Sequence, residues 1–156
     1  MIETSGDLVE AIIHDPWSVA ASMRRIHRFG GQRAGCDVLT HSVEVAHRIA
    51  PFGMRLTVWA LLHDAHEIIT GDVVRAYKSY SLNEWQRAID DQLIEELLLG
   101  LSERERAHLT AIDVAVGNEE YADAIEFQLT GDAAAAWFVD TVQRWVLMPK
   151  QEACDD

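Results

Sequence analysis

Apolar residues along this chain recur mostly at helical spacing, in stretches set apart by glycine, proline and capping residues. Residues 17–28, WSVAASMRRIHR, are predicted to form a helix that stops at Gly30-Gly31. A second helix, 41–50, sets Val43, Ala46, His47 and Ala50 near one another and ends before Pro51. A third covers about 55–69 and ends at Gly71. Ser81 with Glu84 has capping-box spacing for a fourth, which runs to Gly100, and Ser102 with Glu105 repeats that signature for a fifth. The fifth covers about 103–116, kinks at Gly117 and continues over 119–128. A last helix starts at Asp132 and ends by Pro149, with Trp137, Val142 and Trp145 among its apolar residues. No alternating stretch and no Asn-Gly turn argues for a strand. The expected architecture is all-α, a single compact helical bundle forming one domain over 1–156.

The third helix breaks its own pattern. In LLHDAHEIITGD (61–72), polar residues stand where a core would take leucines. On a regular helix His63 and Glu67, four apart, share one face, with Asp64 beside them. An unpaired buried group of this kind costs several kcal/mol, so the segment either lies at a surface or supplies its side chains to a cation. Leu61, Leu62 and Ile68 favour the interior. A lone histidine in such a helix is most often a packed residue with one hydrogen bond, which is the reading for His47 and His66.

Composition narrows the classes. Of 156 residues, 49% are hydrophobic and 25% charged, with three Pro and nine Gly, as in a globular helical domain. Thirteen Lys and Arg against 26 Asp and Glu give a formal charge of −13, which opposes binding to nucleic-acid polymers or anionic membranes. A phosphate-bearing partner would then need cations brought in locally, by a metal or by the sequence cluster Arg24, Arg25, Arg28 and Arg33. Cys36 and Cys154 show no CxxC spacing, the N-terminus lacks the features of a signal segment, and no apolar run approaches membrane-spanning length. A cytoplasmic protein with free thiols is expected. Among the five tryptophans some are expected at an interface between copies, making a homo-oligomer.

His63-Asp64-Ala65-His66-Glu67 fits neither the His-Glu-x-x-His nor the His-x-x-Glu-His zinc-protease spacing, and no phosphate-binding Gly-Lys loop, GxGxxG or GxSxG is present. The order of the remaining candidates is His41, then His63-Asp64, then Asp113 about fifty residues on. With that order, RFGGQRAGCDVLTHSVEVAHRI (28–49), LLHDAHEIITGDVVRAYK (61–78) and LTAIDVAVGNEEYADAI (109–125) resemble the HD-domain metal-dependent phosphohydrolases over roughly residues 17–128. Within them the chain looks most like the small 5′-deoxynucleotidases and the phage dATP triphosphohydrolases. Their H-D-x-x-E-x-x-x-G-D string is matched by His63, Asp64, Glu67, Gly71 and Asp72, with a lysine following at Lys78. The chain differs in having Thr40 before the first histidine, Phe29 where the nucleotidases carry tryptophan after the arginine, and VVRAY after Gly-Asp where the family has prolines.

The resemblance implies His41, His63, Asp64 and Asp113 as metal ligands, Glu67 as acid/base, Asp72 as a second catalytic carboxylate, and Arg28 with Lys78 as phosphate contacts. Arg33 adds a further cation, and Phe29 a ring on which a base could stack. Glu119 and Glu120 are expected on a solvated helix turn. Two imidazoles and two carboxylates suit Mn²⁺, Co²⁺, Zn²⁺, Fe²⁺ or Ni²⁺, with room for a second Mg²⁺ carried on the phosphates. The implied activity is hydrolysis of a 5′-phosphate or 5′-triphosphate from a 2′-deoxynucleotide. Another phosphate ester such as an alarmone, or a regulatory HD domain without catalysis, stays open.

Overall fold

The computed structural model describes residues 1–33 and 35–150. Its eight α-helices and three short 3₁₀ turns, with no strand among the described residues, form the expected all-α bundle. The sequence pattern assigned no element to the N-terminus, yet Thr4 and Asp7 cap one another's backbone and start α1, Ser5–His14, which buries Leu8, Val9 and Ile12. Asp15 caps α2, Pro16–Arg24, whose first residue is a proline with no N–H to satisfy. This helix ends four residues earlier than the periodicity suggested. The chain then pairs briefly with itself: Arg28 N donates to Cys36 O at 2.7 Å and Val38 N to Ile26 O at 3.0 Å, closing the loop that holds Phe29–Gly31.

Asp37 caps the central helix α3, Val38–Ile49, which starts three residues before the predicted 41. Its carboxylate accepts from Thr40 N at 2.8 Å and Thr40 Oγ1 at 2.9 Å, which is the use this chain makes of Thr40. Helix α3 packs against α2, α4 (Met54–Leu62), α7 (Glu103–Tyr121) and α8 (Gly131–Leu147). Its side chains from Val38 to Ala46 are all buried.

The predicted third helix is interrupted. After α4 the backbone tightens into i→i−3 bonds, Ala65 N to Leu62 O, Glu67 N to Asp64 O and Ile69 N to His66 O, before the single turn α5, Glu67–Thr70. Gly71 ends it at φ 76°, in the left-handed region that a glycine adopts freely. At three residues per turn, i and i+3 eclipse. Asp64 and Glu67 are thereby brought toward the same side.

The cap of α6, Tyr80–Glu96, is Ser79 rather than Ser81, its hydroxyl accepting from Leu82 N at 3.1 Å. The Ser102–Glu105 capping box of α7 forms as expected. Helix α7 runs through Gly117 without the expected break and stops at Tyr121, so 122–128 is not helical. Helix α8 closes the bundle with Phe138 fully buried, and Trp145 Nε1 donates to Leu97 O at 2.9 Å. Trp59 and Trp145 are core, whereas Trp17 and Trp85 are about half exposed at 53% and 51%. Cys36 is a buried free thiol, and Cys154 lies outside the described residues.

Because Gly117 sits in helical geometry, and a Cβ there meets only Arg28 Nη2 at 3.6 Å, Gly117→Ala is expected to stabilise the fold by about 1 kcal/mol. Urea denaturation measures it. A loss of stability would show that the guanidinium cannot yield to a methyl group.

Candidate metal centre

Three parts of the bundle converge on one point. Helix α3 brings His41, the tight turn after α4 brings His63 and Asp64, and α7 brings Asp113; each offers one ligand atom, all within 4.8 Å of one another. His41 Nε2 stands 2.7 Å from Asp113 Oδ1 and 3.7 Å from Asp64 Oδ2. His63 Nε2 stands 3.2 Å from Asp64 Oδ2 and 3.5 Å from Asp113 Oδ1. It is buried and makes no aligned hydrogen bond.

Both imidazoles are tied from behind. His63 Nδ1 donates to Ala60 O at 2.7 Å, and His41 Nδ1 bonds Glu120 Oε1. An imidazole that gives up its Nδ1 proton outward presents a lone pair at Nε2, which is how histidines are oriented toward metals. With both rings neutral, two such lone pairs and two carboxylates form a set of acceptors around one point. This set can hold a metal ion.

Glu120 reverses its expected place. Its side chain is fully buried, not on a solvated turn, and accepts from Arg28 Nε at 3.1 Å as well as from His41. The readable signal was spacing: Glu120 lies seven residues after Asp113, two helical turns along one face of α7. Glu119 points elsewhere and accepts from Arg48 at 2.6 Å.

Electrostatics follow from this crowding. Burial disfavours charge on His63, yet Asp64 and Asp113 push its imidazole well above the ordinary range. Burial also works against charge on Asp64 and Asp113; the neighbouring imidazoles, and Arg28 for Asp64, bring both carboxyls down. Glu67 goes the other way. Burial, with Asp64 and Asp72 nearby, pushes its carboxyl up to about 9. Burial likewise raises Asp72.

A cleft of about 420 Å³ opens above the cluster, lined by Asp64, Glu67, Asp72 and Asp113 together with Arg28, Phe29, Arg75, Lys78 and Tyr121. Lys78 is steadied by Gln86 Oε1 at 3.0 Å, and Gln86 in turn donates to Thr70 Oγ1 at 2.9 Å. Phe29 adopts a left-handed backbone, φ 56°, which is costly for a bulky residue. Its ring meets Tyr121 edge to face, with centroids 5.8 Å apart.

The arginine cluster seen in sequence disperses. Arg24 pairs with Asp132 at 2.7 Å, and Arg33 lies over the Tyr121 ring at 5.0 Å rather than in the cleft wall. Arg75 takes a place in the wall that the sequence reading did not give it. Sequence order had no means of showing that the segment after Gly71 folds back over the site.

No helix among the described residues is long and apolar enough to cross a membrane. Comparisons with protein-family models, curated proteins and solved structures gave no match, so the functional reading rests on the geometry and the motif order.

Without a cation, protonated His63 is what balances Asp64 and Asp113. Its contribution to stability is complete below about pH 6.5 and is lost as pH rises through its raised value. A divalent ion needs the imidazoles neutral, so the stabilisation it supplies grows as pH rises. At a thousandfold excess over Kd this is about 4 kcal/mol, on the order of 10 °C in Tm. Calorimetry with and without chelator is expected to show the larger drop at about pH 8 than at about pH 6, with no chelator effect in Asp113→Asn. An unchanged wild-type Tm would rule out the buried site.

Proposed function

We propose that this protein is an HD-type, metal-dependent phosphohydrolase that removes the 5′-phosphate or 5′-triphosphate from 2′-deoxynucleotides. The observation that carries the reading is the convergence of His41, His63, Asp64 and Asp113, their imidazoles tied from behind, at the floor of a cleft walled by Arg28, Arg75 and Lys78. The H…HD…D order and the Glu67, Gly71, Asp72 string support the family. The preference for a deoxyribose rests on that resemblance.

Mn²⁺, Co²⁺, Fe²⁺, Zn²⁺ or Ni²⁺ all suit the donor set, and such an ion supplies Lewis acidity toward a phosphoryl oxygen and makes water nucleophilic near neutral pH. Arg28, held by Glu120 and 3.4 Å from Asp64, turns a fixed guanidinium toward the phosphate. Lys78 and Arg75 face the same space and offset charge that builds on the transferred group. Glu67, in its ionised form, takes a proton from the attacking water and then delivers it to the departing 5′-oxygen. A cation held by the four ligands would favour the ionised form of this carboxyl, which burial otherwise raises. Asp72, also in the wall, orients the same proton path. Water's O–H is broken, oxygen joins phosphorus, and the P–O bond to the leaving group is cleaved with that proton delivered to it. Phe29 and Tyr121 offer an aromatic corner for the base.

Release of phosphate and of triphosphate from a panel of nucleotides, with added Mn²⁺ or Co²⁺, tests the activity. Turnover is expected with deoxynucleotides, with kcat/KM for dAMP or dATP above that for AMP or ATP. No turnover on any member would overturn the proposal. Glu67→Gln is expected to keep the fold and the metal of the four-ligand site while losing about 10²-fold or more in kcat. Wild-type rates in a metal-loaded Glu67→Gln protein would remove Glu67 from the proton path.

A further inference from the structure

Helix α6 buries Ile89, Leu93 and Ile94 and, on the same side, one polar residue, Gln86, which is 5% exposed. An aliphatic side chain there would leave no polar group to satisfy, whereas a primary amide taken out of water needs both its oxygen and its nitrogen answered. Gln86 Oε1 accepts from Lys78 Nζ at 3.0 Å, and Gln86 Nε2 donates to Thr70 Oγ1 at 2.9 Å. The Thr70 hydroxyl gives its own proton to the backbone, lying 3.2 Å from Gly71 O and 3.4 Å from His66 O, so a lone pair is left for Gln86. These partners fix the sense of the amide: nitrogen toward Thr70, oxygen toward the ammonium.

We infer that Gln86 is a positioning residue for phosphate binding, its buried amide holding the Lys78 ammonium at the cleft. The inference rests on the reading of that cleft as a phosphate site and adds to it a residue that does not line the wall. A lysine is a point charge on a flexible stem, and one left free would have to be ordered each time a phosphate arrived. Gln86 orders it beforehand. The neutrality of the partner matters as much as its place. Arg28 is held by the carboxylates of Glu120 and Asp64, which offset its charge. An amide oxygen holds Lys78 without offsetting anything, and it leaves the other N–H groups of the ammonium for phosphate oxygens. Through Thr70 the same amide is anchored to α5, the turn that begins at Glu67. One side chain therefore sets the phosphate-facing cation relative to the carboxylate proposed to move the proton.

The test is steady-state turnover of dAMP and dATP by the Mn²⁺-loaded full chain, with calorimetric titration of inorganic phosphate into the same protein. Gln86→Leu is expected to lower kcat/KM and phosphate affinity about 10-fold, the size of one hydrogen bond to a charged group. Gln86→Glu keeps an acceptor for the ammonium but offsets its charge, and is expected to hold or raise Tm while weakening phosphate at least as much. A side chain that only packs would lose stability and binding together. Adding Gln86→Leu to Lys78→Ala is expected to cost nothing further, because the amide acts through the ammonium. Losses that multiply in the double variant, or wild-type phosphate affinity in Gln86→Glu, overturn the role of Gln86 and leave the phosphohydrolase reading standing. Should Gln86→Leu fail to fold by circular dichroism, Gln86→Glu decides. Phosphate binding that depends on Gln86, without turnover of any nucleotide, overturns the hydrolase reading alone. A wild-type protein that neither binds phosphate nor turns over nucleotides overturns both.

Discussion

Asp64 and Asp113 bring two carboxylates against two imidazole nitrogens inside a bundle whose other buried positions are largely aliphatic. Like charges at that separation, taken out of water, repel strongly unless something positive stands between them. Much of the surrounding structure is arranged to answer that demand. Ala60 O and Glu120 fix the two rings so that both lone pairs face inward. Glu120 is itself an acid with no exposure, tolerated because Arg28 and His41 both donate to it. Arg28 in turn reaches Asp64. The run Asp113–His41–Glu120–Arg28–Asp64 is therefore an open chain of paired polar groups that begins and ends on a carboxylate facing the ligand point. Removing any member leaves a neighbour buried without its partner.

The helical class and most of the segments were legible because amphipathic spacing and caps survive folding: Ser102–Glu105 forms the box its spacing announces. The grouping of His41, His63, Asp64 and Asp113 was legible through the resemblance that their order carries. Two features were not. Hydrophobic periodicity assumes 3.6 residues per turn, so it read 55–69 as one helix and paired His63 with Glu67, whereas the backbone tightens after Leu62 and pairs Asp64 with Glu67. Glu120 was misplaced because two adjacent glutamates near a helix end look solvated. Their separation into one buried and one surface residue depends on which face of α7 meets α3, which a single sequence does not show. The cap of α6 also shifted, from Ser81 to Ser79, since two nearby hydroxyls compete for the same role and packing selects one, and α3 starts at Val38 rather than at 41.

The parts of the site differ in what holds them. Ligands come from α3, α7 and the turn that ends α4, elements locked into the core on several sides. The cleft wall comes from residues 28–33 and 71–78, which carry exposed side chains such as Arg75 and Tyr77 and are pinned at few points, chiefly the Arg28–Cys36 pairing and the Lys78–Gln86–Thr70 chain. Loops held in this way tolerate changes of sequence and length that a packed helix does not.

That division has a consequence for how such a protein diversifies. Phe29 and the two glycines after it all adopt positive φ and form a short, backbone-defined turn that sets the direction of the ring. An exchange at position 29 would re-tailor which molecule fits without touching the helices that carry His41 and Asp113. The shape of that corner of the cleft can thus drift while the buried cluster beneath it stays fixed.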